Sequence, residues 1–336
     1  VRAAVSLFFL IVVSVVNAQT AVPILKPARV VFYNTENLYD TINDPEINDE
    51  EFLPSSRNQW NTEKYTLKLN HTAKVLASLL DTIQPLVIGL SEVENRHVLE
   101  DLIAQPALSK YHLGIIHHNS PDERGIDVAL LYNNDIAESV FDATLKVDLG
   151  DSDRTRDILY FKAYLTEEYP VWFFVNHWPS RRTGAESEAR RLAAAKVLKA
   201  KIDNIYLGEP YARVTVMGDF NDNPDDKSVQ LLLQPAPNAK APAMVNLMQV
   251  KDRKKEFSVR YKDQNDLFDQ FTVSGNLLDN SNQYFIRNNQ AHIFAPSWLL
   301  FNHPKYGLIP NRTYANGKWV GGYSDHLPVY FDIVFK

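Results

Sequence analysis

The stretch VTVMGDFNDNPDD, residues 214–226, decides how the rest of the chain is read. Val214 to Met217 is a short apolar run of the kind that forms a buried strand. It stops at Gly218 and gives way to Asp219, Phe220, Asn221 and Asp222. Asn and Asp are ordinary turn residues, so a plain turn and the mouth of a metal site are both open readings. Alternation along an extended chain puts Asp219 and Asn221 on one side and Phe220 on the other. Gly218 suits a close turn, and Asp222 reads as a residue that merely solvates it.

Outward from this strand the pattern is strands alternating with helices. ARVVFYN ends at Asn34, and residues 40–60 read as an acidic surface loop. Residues 62–80 carry apolar side chains at helical spacing (Leu67, Leu69, Ala73, Leu76, Leu80), and Pro85 closes the connection to the strand LVIGL, which ends at Ser91-Glu92. Asn95 is placed to cap the next helix. YHLGIIHH, IDVALLYN, LYFKAYL and VWFFVNHW read as strands separated by polar turns, 185–206 as the clearest helix, PDDKSVQLLLQ as a short one, and LPVYFDIVF as the last strand. Residues 235–320 show little periodicity. With no internal repeat and no Gly/Ser linker, one α/β (α+β) domain spanning 19–336 is expected, with two sheets.

The bulk composition excludes several chemistries. The chain has 336 residues, a net charge of −6 and no cysteine. Disulfides, thiolate metal sites and a Cys nucleophile are therefore ruled out, and the surface as a whole does not attract polyanions. Residues 1–18, VRAAVSLFFLIVVSVVNA, have one early charge, an apolar run and the small-residue close Val16-Asn17-Ala18. That is the pattern of a cleaved export signal. A retained anchor is the alternative reading. The mature chain is expected to be secreted or periplasmic, without stable membrane insertion, and a monomer.

Read together, the strand ends collect polar residues: Asn34, Glu92, His177, Asp219 with Asn221, and Asp325 with His326. Reactive groups gather where strands meet loops. The segments FYNTENLYD, GLSEVENR, GIDVALLY, VNHWPSR, VMGDFND, LFDQFTVS and YSDHLPV stand in the order found in the endonuclease/exonuclease/phosphatase superfamily. The chain resembles the bacterial exported members of that group over residues 28–336. The resemblance implies a four-layered sandwich of two mixed β-sheets flanked by helices, and a metal-dependent phosphoester hydrolase.

It also implies residue roles. Glu92 would bind the metal, with Asn34 beside it and Asp325 contributing, and the ion would be Mg²⁺ or Mn²⁺, with Ca²⁺ also compatible. His326 would pair with Asp269. Asp219 would orient or deprotonate the attacking water, Asn221 would bind a phosphate oxygen, and His177 would contact the phosphate or assist the leaving group. Such groups neutralise an anionic ester and need no Ser or Cys nucleophile.

Arg181, in HWPSRRTG, reads either as a substrate contact or as a solvated loop residue, and Asp127 either as a bracket of the site or as a strand start. Glu36 and Asn95 read as site residues or as caps and supports. The run 251–262 reads either as a basic rim or as a solvated face. The aromatics Trp298, Phe301, Tyr306, Tyr314 and Trp319 suit base stacking or core filling equally, while His112, His117 and His118 read as structural. A nuclease or phosphodiesterase leads among the functions, with a nucleic acid as its possible partner. A phosphomonoesterase or sphingomyelinase-like lipid phosphodiesterase comes second, and a catalytically inactive binding module third.

Overall fold

The computed structural model describes residues 26–150, 154–165 and 169–336, so the expected signal segment, 1–18, lies outside the described residues. The elements run β1 (Ala28–Leu38), α1 (Thr62–Leu79), β2 (Gln84–Val93), α2 (Arg96–Ile103), β3 (Leu113–His117), β4 (Asp127–Asn133) and β5 (Glu138–Leu145). Next come β6 (Ile158–Tyr164), β7 (Pro170–His177), α3 (Ala185–Gly208), β8 (Arg213–Asp219), α4 (Lys227–Leu232) and β9 (Met244–Asn246). A hairpin of β10 (Val259–Tyr261) and β11 (Gln264–Asp266) precedes β12 (Asp269–Ser274) and β13 (Tyr284–Ile286). The chain continues with β14 (His292–Ile293), β15 (Leu300–His303), β16 (Gly307–Pro310), β17 (Tyr314–Ala315), β18 (Lys318–Trp319) and β19 (Val329–Phe335).

Two βαβ units organise these elements. β1 and β2 pair in parallel, as do β7 and β8. A parallel pair needs a crossover, which α1 and α3 supply. The Asn61 side chain caps α1 by accepting from Lys64 N, and Asn95 caps α2 by accepting from Val98 N. Antiparallel strands extend each pair into a mixed sheet. One runs β13-β19-β1-β2-β4-β3, with β14 also on β19; the other runs β5-β6-β7-β8-β12-β9.

The inner faces of the sheets meet in an apolar core that includes Phe32, Phe161, Phe173, Met217, Phe271 and Phe331. A second core packs α1 and α2 on the outside of the first sheet, and a third packs α3 and α4 on the second. The arrangement is the expected four-layered sandwich. The sheets touch closely at Gly89, where a Cβ would lie 2.6 Å from the Met217 Sδ.

Several expectations are corrected. Pro85 lies inside β2 rather than ahead of it. The 40–60 segment is not wholly a surface loop, because Asp49 and Trp60 are buried, and Trp60 Nε1 donates to Tyr39 O at 3.1 Å. β5 went unread because it is an edge strand, half-exposed along its length, without apolar alternation. The 235–320 region resolves into two- to six-residue strands and hairpins, too short to show a period. Within it Trp298, Tyr314 and Trp319 pack against the core over α1, whereas Phe301 is exposed. Among the described residues, no helix is long and apolar enough to cross a membrane.

Candidate active site

Strand register assembles one half of the site. Where β7 and β8 end together, His177 stands opposite Asp219, and Asp219 stands opposite Asp269 at the start of β12. Three polar side chains thus form a row across one end of the second sheet. Gly218, just before Asp219, is needed for a close approach: a Cβ there would lie 2.3 Å from the Asn176 carbonyl oxygen.

The first sheet supplies the other half. Asn34 on β1 stands opposite Ser91 on β2, and both strands slip register just beyond, between Asn34 and Leu38 and between Ser91 and Val93. Such bulges re-aim side chains. Glu36, Asn37 and Glu92, all at these bulges, have left-handed backbones with φ of 53°, 61° and 59°. Asn221 adds a fourth at 49°. Backbone strain of this kind concentrates at functional sites. Ser324 fixes the approach to β19, since its Oγ donates to Asn34 O and accepts from His326 N.

His326 then reaches across to the second sheet. Its Nδ1 lies 2.8 Å from Asp269 Oδ2 and 3.1 Å from Oδ1. Its Nε2 lies 3.7 Å from Asp219 Oδ2, and the His177 Nε2 lies 3.5 Å from the same oxygen. Asn34 Nδ2 donates to Asp219 Oδ2 at 3.1 Å. Both imidazoles therefore face one carboxylate oxygen, at distances that leave them available to a bound group.

The surroundings push the two histidines in opposite directions. Burial alone would lower the pKa of His326, but the carboxylates of Asp269 and Asp219 outweigh it and hold the ring well above the usual histidine value. Burial, with the nearby charges of Arg156, Arg124 and His326, pushes His177 well below it. Burial raises the Asp219 carboxyl, against the pull of His326. Opposed shifts in one cleft mark groups suited to acid–base work.

Glu92 and Asp325 are the carboxylates that suit a divalent cation. Glu92 Oε2 accepts from Asn37 N at 3.0 Å, while Oε1 has Asn34 Nδ2 at 3.4 Å and His177 Nε2 at 3.8 Å, and the residue lines the cleft. Asp325 Oδ2 accepts from Arg312 at 2.6 Å, and the residue also lines the cleft. Burial works against its charge, but His326 and Arg312 keep its pKa below the usual carboxylate value. One or two carboxylates with the remaining positions left to water and substrate phosphate match the way Mg²⁺ binds. Among the described residues, no three His, Asp or Glu side chains converge as a closed metal cage.

Five expectations change at the level of single side chains. Asn34 turns its amide NH₂ to the centre, because its Oδ1 accepts from Glu36 N, so it acts as a donor to Asp219 rather than as an oxygen ligand. Asn221 lines the cleft, yet its Nδ2 is spent on Trp178 O at 2.9 Å. Arg181 turns away to Asn221 O, Asp222 and Asp226. Asp127 binds the buried His117 at 2.9 Å and Ser120, and holds that loop instead of bracketing the cleft. Asp222, expected to be solvated, is buried and joins Arg181, Arg191 and Ser228. In the 251–262 run, Lys251, Arg253 and Lys255 pair with Glu256, Asp225 and Asp252 outside the cleft.

Sequence reading missed Arg156. Buried just ahead of β6, it donates to His177 O, Trp178 O and Asp122, and so fixes the end of β7. It also missed Arg124, Arg154 and Arg182, which line the same cleft of about 420 Å³. The only available signal was arginine beside turn residues, which is too common to single out.

The sequence profile of the Endonuclease/Exonuclease/phosphatase family matches residues 29–334. No curated protein sequence matches the chain. Among solved structures, an endonuclease/exonuclease/phosphatase family protein from Bacteroides thetaiotaomicron is similar at TM-score 0.55 and 13% identity, covering 93% of this chain and 98% of that one. The human Nocturnin catalytic domain with bound sulfate is similar at 0.54 and 19%, covering 93% and 96%. Humanized D. rerio TDP2 is similar at 0.53 and 13%, covering 91% and 98%. At such identities these likenesses speak for the fold, whereas the profile match spans nearly the whole chain. The chain belongs to the endonuclease/exonuclease/phosphatase family, a family named for enzymes that hydrolyse phosphate esters.

Proposed function

We propose that this protein is a secreted or periplasmic, metal-dependent phosphoester hydrolase, acting as a nuclease or phosphodiesterase through direct attack of water. The observation that carries the reading is the convergence of His177 and His326 onto one oxygen of Asp219, with Asp269 behind the His326 ring. D. rerio TDP2 was solved with a single strand DNA product, so a nucleic-acid product is compatible with this architecture. All the residues involved come from one chain, and the export reading rests on residues 1–18.

Each residue has a chemical task. Asp269 orients His326 and stabilises its cation, which faces a phosphate oxygen as a charged donor. Asp219, with its raised pKa, holds the attacking water and takes its proton. His177, neutral and with Nε2 toward the carboxylates, donates to a phosphate oxygen or the leaving group. Asn34 fixes the Asp219 carboxylate. Glu92 and Asp325 would hold Mg²⁺ or Mn²⁺, which when bound neutralises negative charge on the phosphate.

The test is an assay of the mature chain with Mg²⁺ or Mn²⁺ against plasmid DNA, RNA, bis-p-nitrophenyl phosphate and sphingomyelin, with His326→Ala beside it. Hydrolysis of the nucleic acids or the phosphodiester, abolished by the substitution, is expected. Cleavage of sphingomyelin alone would transfer the reading to lipid substrates. Activity that survives His326→Ala would defeat the mechanism, and no activity on any substrate would favour a binding module.

A further inference from the structure

The cleft is lined by two chemically distinct sets of side chains: Glu92, Asp219, Asp325, His177 and His326, and the arginines Arg124, Arg154 and Arg182. In a chain of net charge −6, three exposed guanidinium groups beside one site are a local reversal of the bulk charge. Among the described residues, neither Arg154 nor Arg182 pairs with a carboxylate, and Arg124 has only a loose contact with Asp122, at 3.6 Å. Asp122 itself is held by Arg156 at 2.7 Å. Among the described residues, the remaining acid beside these arginines is Glu123.

The rim is anchored. Arg181, next to Arg182, is tied to Asp222, Asp226 and the Asn221 carbonyl. The short 3-10 turn at Arg181–Thr183 is thereby fixed against the loop after β8, with Arg182 left on the cleft side. Arg156, next but one to Arg154, is buried and bonded to the end of β7. Two fully engaged arginines thus position two unengaged ones. Guanidinium is the planar, always-charged group that grips phosphate through paired N–H donors.

We propose that Arg154 and Arg182, with Arg124, form a second phosphate subsite, so that the preferred substrate carries a further phosphate besides the ester that is cleaved. The inference rests on the phosphoester reading of the neighbouring centre. The second phosphate is either the next one along a nucleic-acid strand or the free phosphate of a small bisphosphate.

The test uses thymidine 5′-(p-nitrophenyl phosphate) and thymidine 3′-(p-nitrophenyl phosphate), each with and without a phosphate on the other hydroxyl. In at least one pair the extra phosphate is expected to raise kcat/KM by about tenfold or more, mainly through KM, as charge-assisted hydrogen bonds do. In Arg154→Gln/Arg182→Gln that ratio is expected to collapse toward one. Equal rates within both pairs, or a ratio untouched by the substitutions, would overturn the proposal.

If the wild type hydrolysed none of the four esters, the phosphoester reading would fail separately. Fluorescence anisotropy in EDTA then decides the subsite alone. Tighter binding of labelled thymidine 3′,5′-bisphosphate than of the monophosphate, lost in the double variant, supports it, and equal binding overturns it. A further gain from bisphosphate to tetrathymidylate identifies a strand as the source; no gain identifies a small bisphosphate.

Discussion

His177 and His326 face the same oxygen of Asp219 yet their pKa values are pushed in opposite directions, and the difference lies in what stands behind each ring. His326 has Asp269 at its Nδ1, whereas the buried Nδ1 of His177 has no hydrogen-bond partner, and burial with the charges of Arg156 and Arg124 disfavours a proton on that ring. Asp269→Asn removes the carboxylate that fixes the His326 tautomer and stabilises its charge. We expect kcat on a phosphodiester to fall by roughly 10²–10⁴-fold with a much smaller change in KM, the loss typical of a disabled acid–base group. Steady-state kinetics on the folded variant check this, and a fall in KM affinity alone would contradict it. At this scale the sequence was legible where a residue's type dictates its task. Asp219, Asp269 and His326 stand together as expected. It was illegible where two neighbours are of one type: nothing in SRRT says that Arg181 turns to Asp222 and Asp226 while Arg182 faces the cleft.

The strand end deciding the site, β8, is held from both sides. Asp222 draws Arg181, Arg191 and Ser228 to the loop after it, and Gly218 lets β7 lie close beside it. The atom a Gly218→Ala methyl would strike is a backbone carbonyl oxygen, which cannot swing aside as a side chain can. The substitution is expected to destabilise the fold by about 1–3 kcal/mol, read as a lower urea midpoint with the slope unchanged. Wild-type stability would show that β7 yields. The glycine was visible in the sequence, but its reason was not. A turn was expected, and the constraint is a neighbouring strand remote in sequence. Asp222 was misread for the same cause, since its partner Arg191 lies on α3. Long periodic elements were legible because their pattern is internal; β5 and the short pieces between β9 and β19 take their shape from whatever they pack on.

At the scale of the whole molecule, acid in the interior makes stability depend on pH. Glu94 is buried and accepts from Asp40 N at 2.7 Å. Burial pushes its carboxyl from 4.5 up to about 8; the Asp40 hydrogen bond opposes the shift, and the charges of Asp40, Asp49 and Asp44 add to it. Between those values the folded chain keeps a proton that the unfolded chain has released. This contribution is complete below 4.5 and is lost as pH rises through 8. Glu94→Gln is expected to flatten that slope, so urea unfolding across the window should show the wild type losing stability relative to the variant. Parallel slopes would refute the assignment. The fold was legible at this scale because strand and helix alternation survives in the pattern, whereas the arginine-lined part of the cleft is a product of folding alone. One consequence concerns timing. β19 lies between β13 and β1, and the segment leading into it brings Asp325 and His326 to Asn34, 292 residues earlier than His326. During synthesis the carboxylates of β2 and β8 exist long before the imidazole that completes them. On the proposed mechanism, therefore, the site is incomplete until the last segment of the chain has been made and has docked.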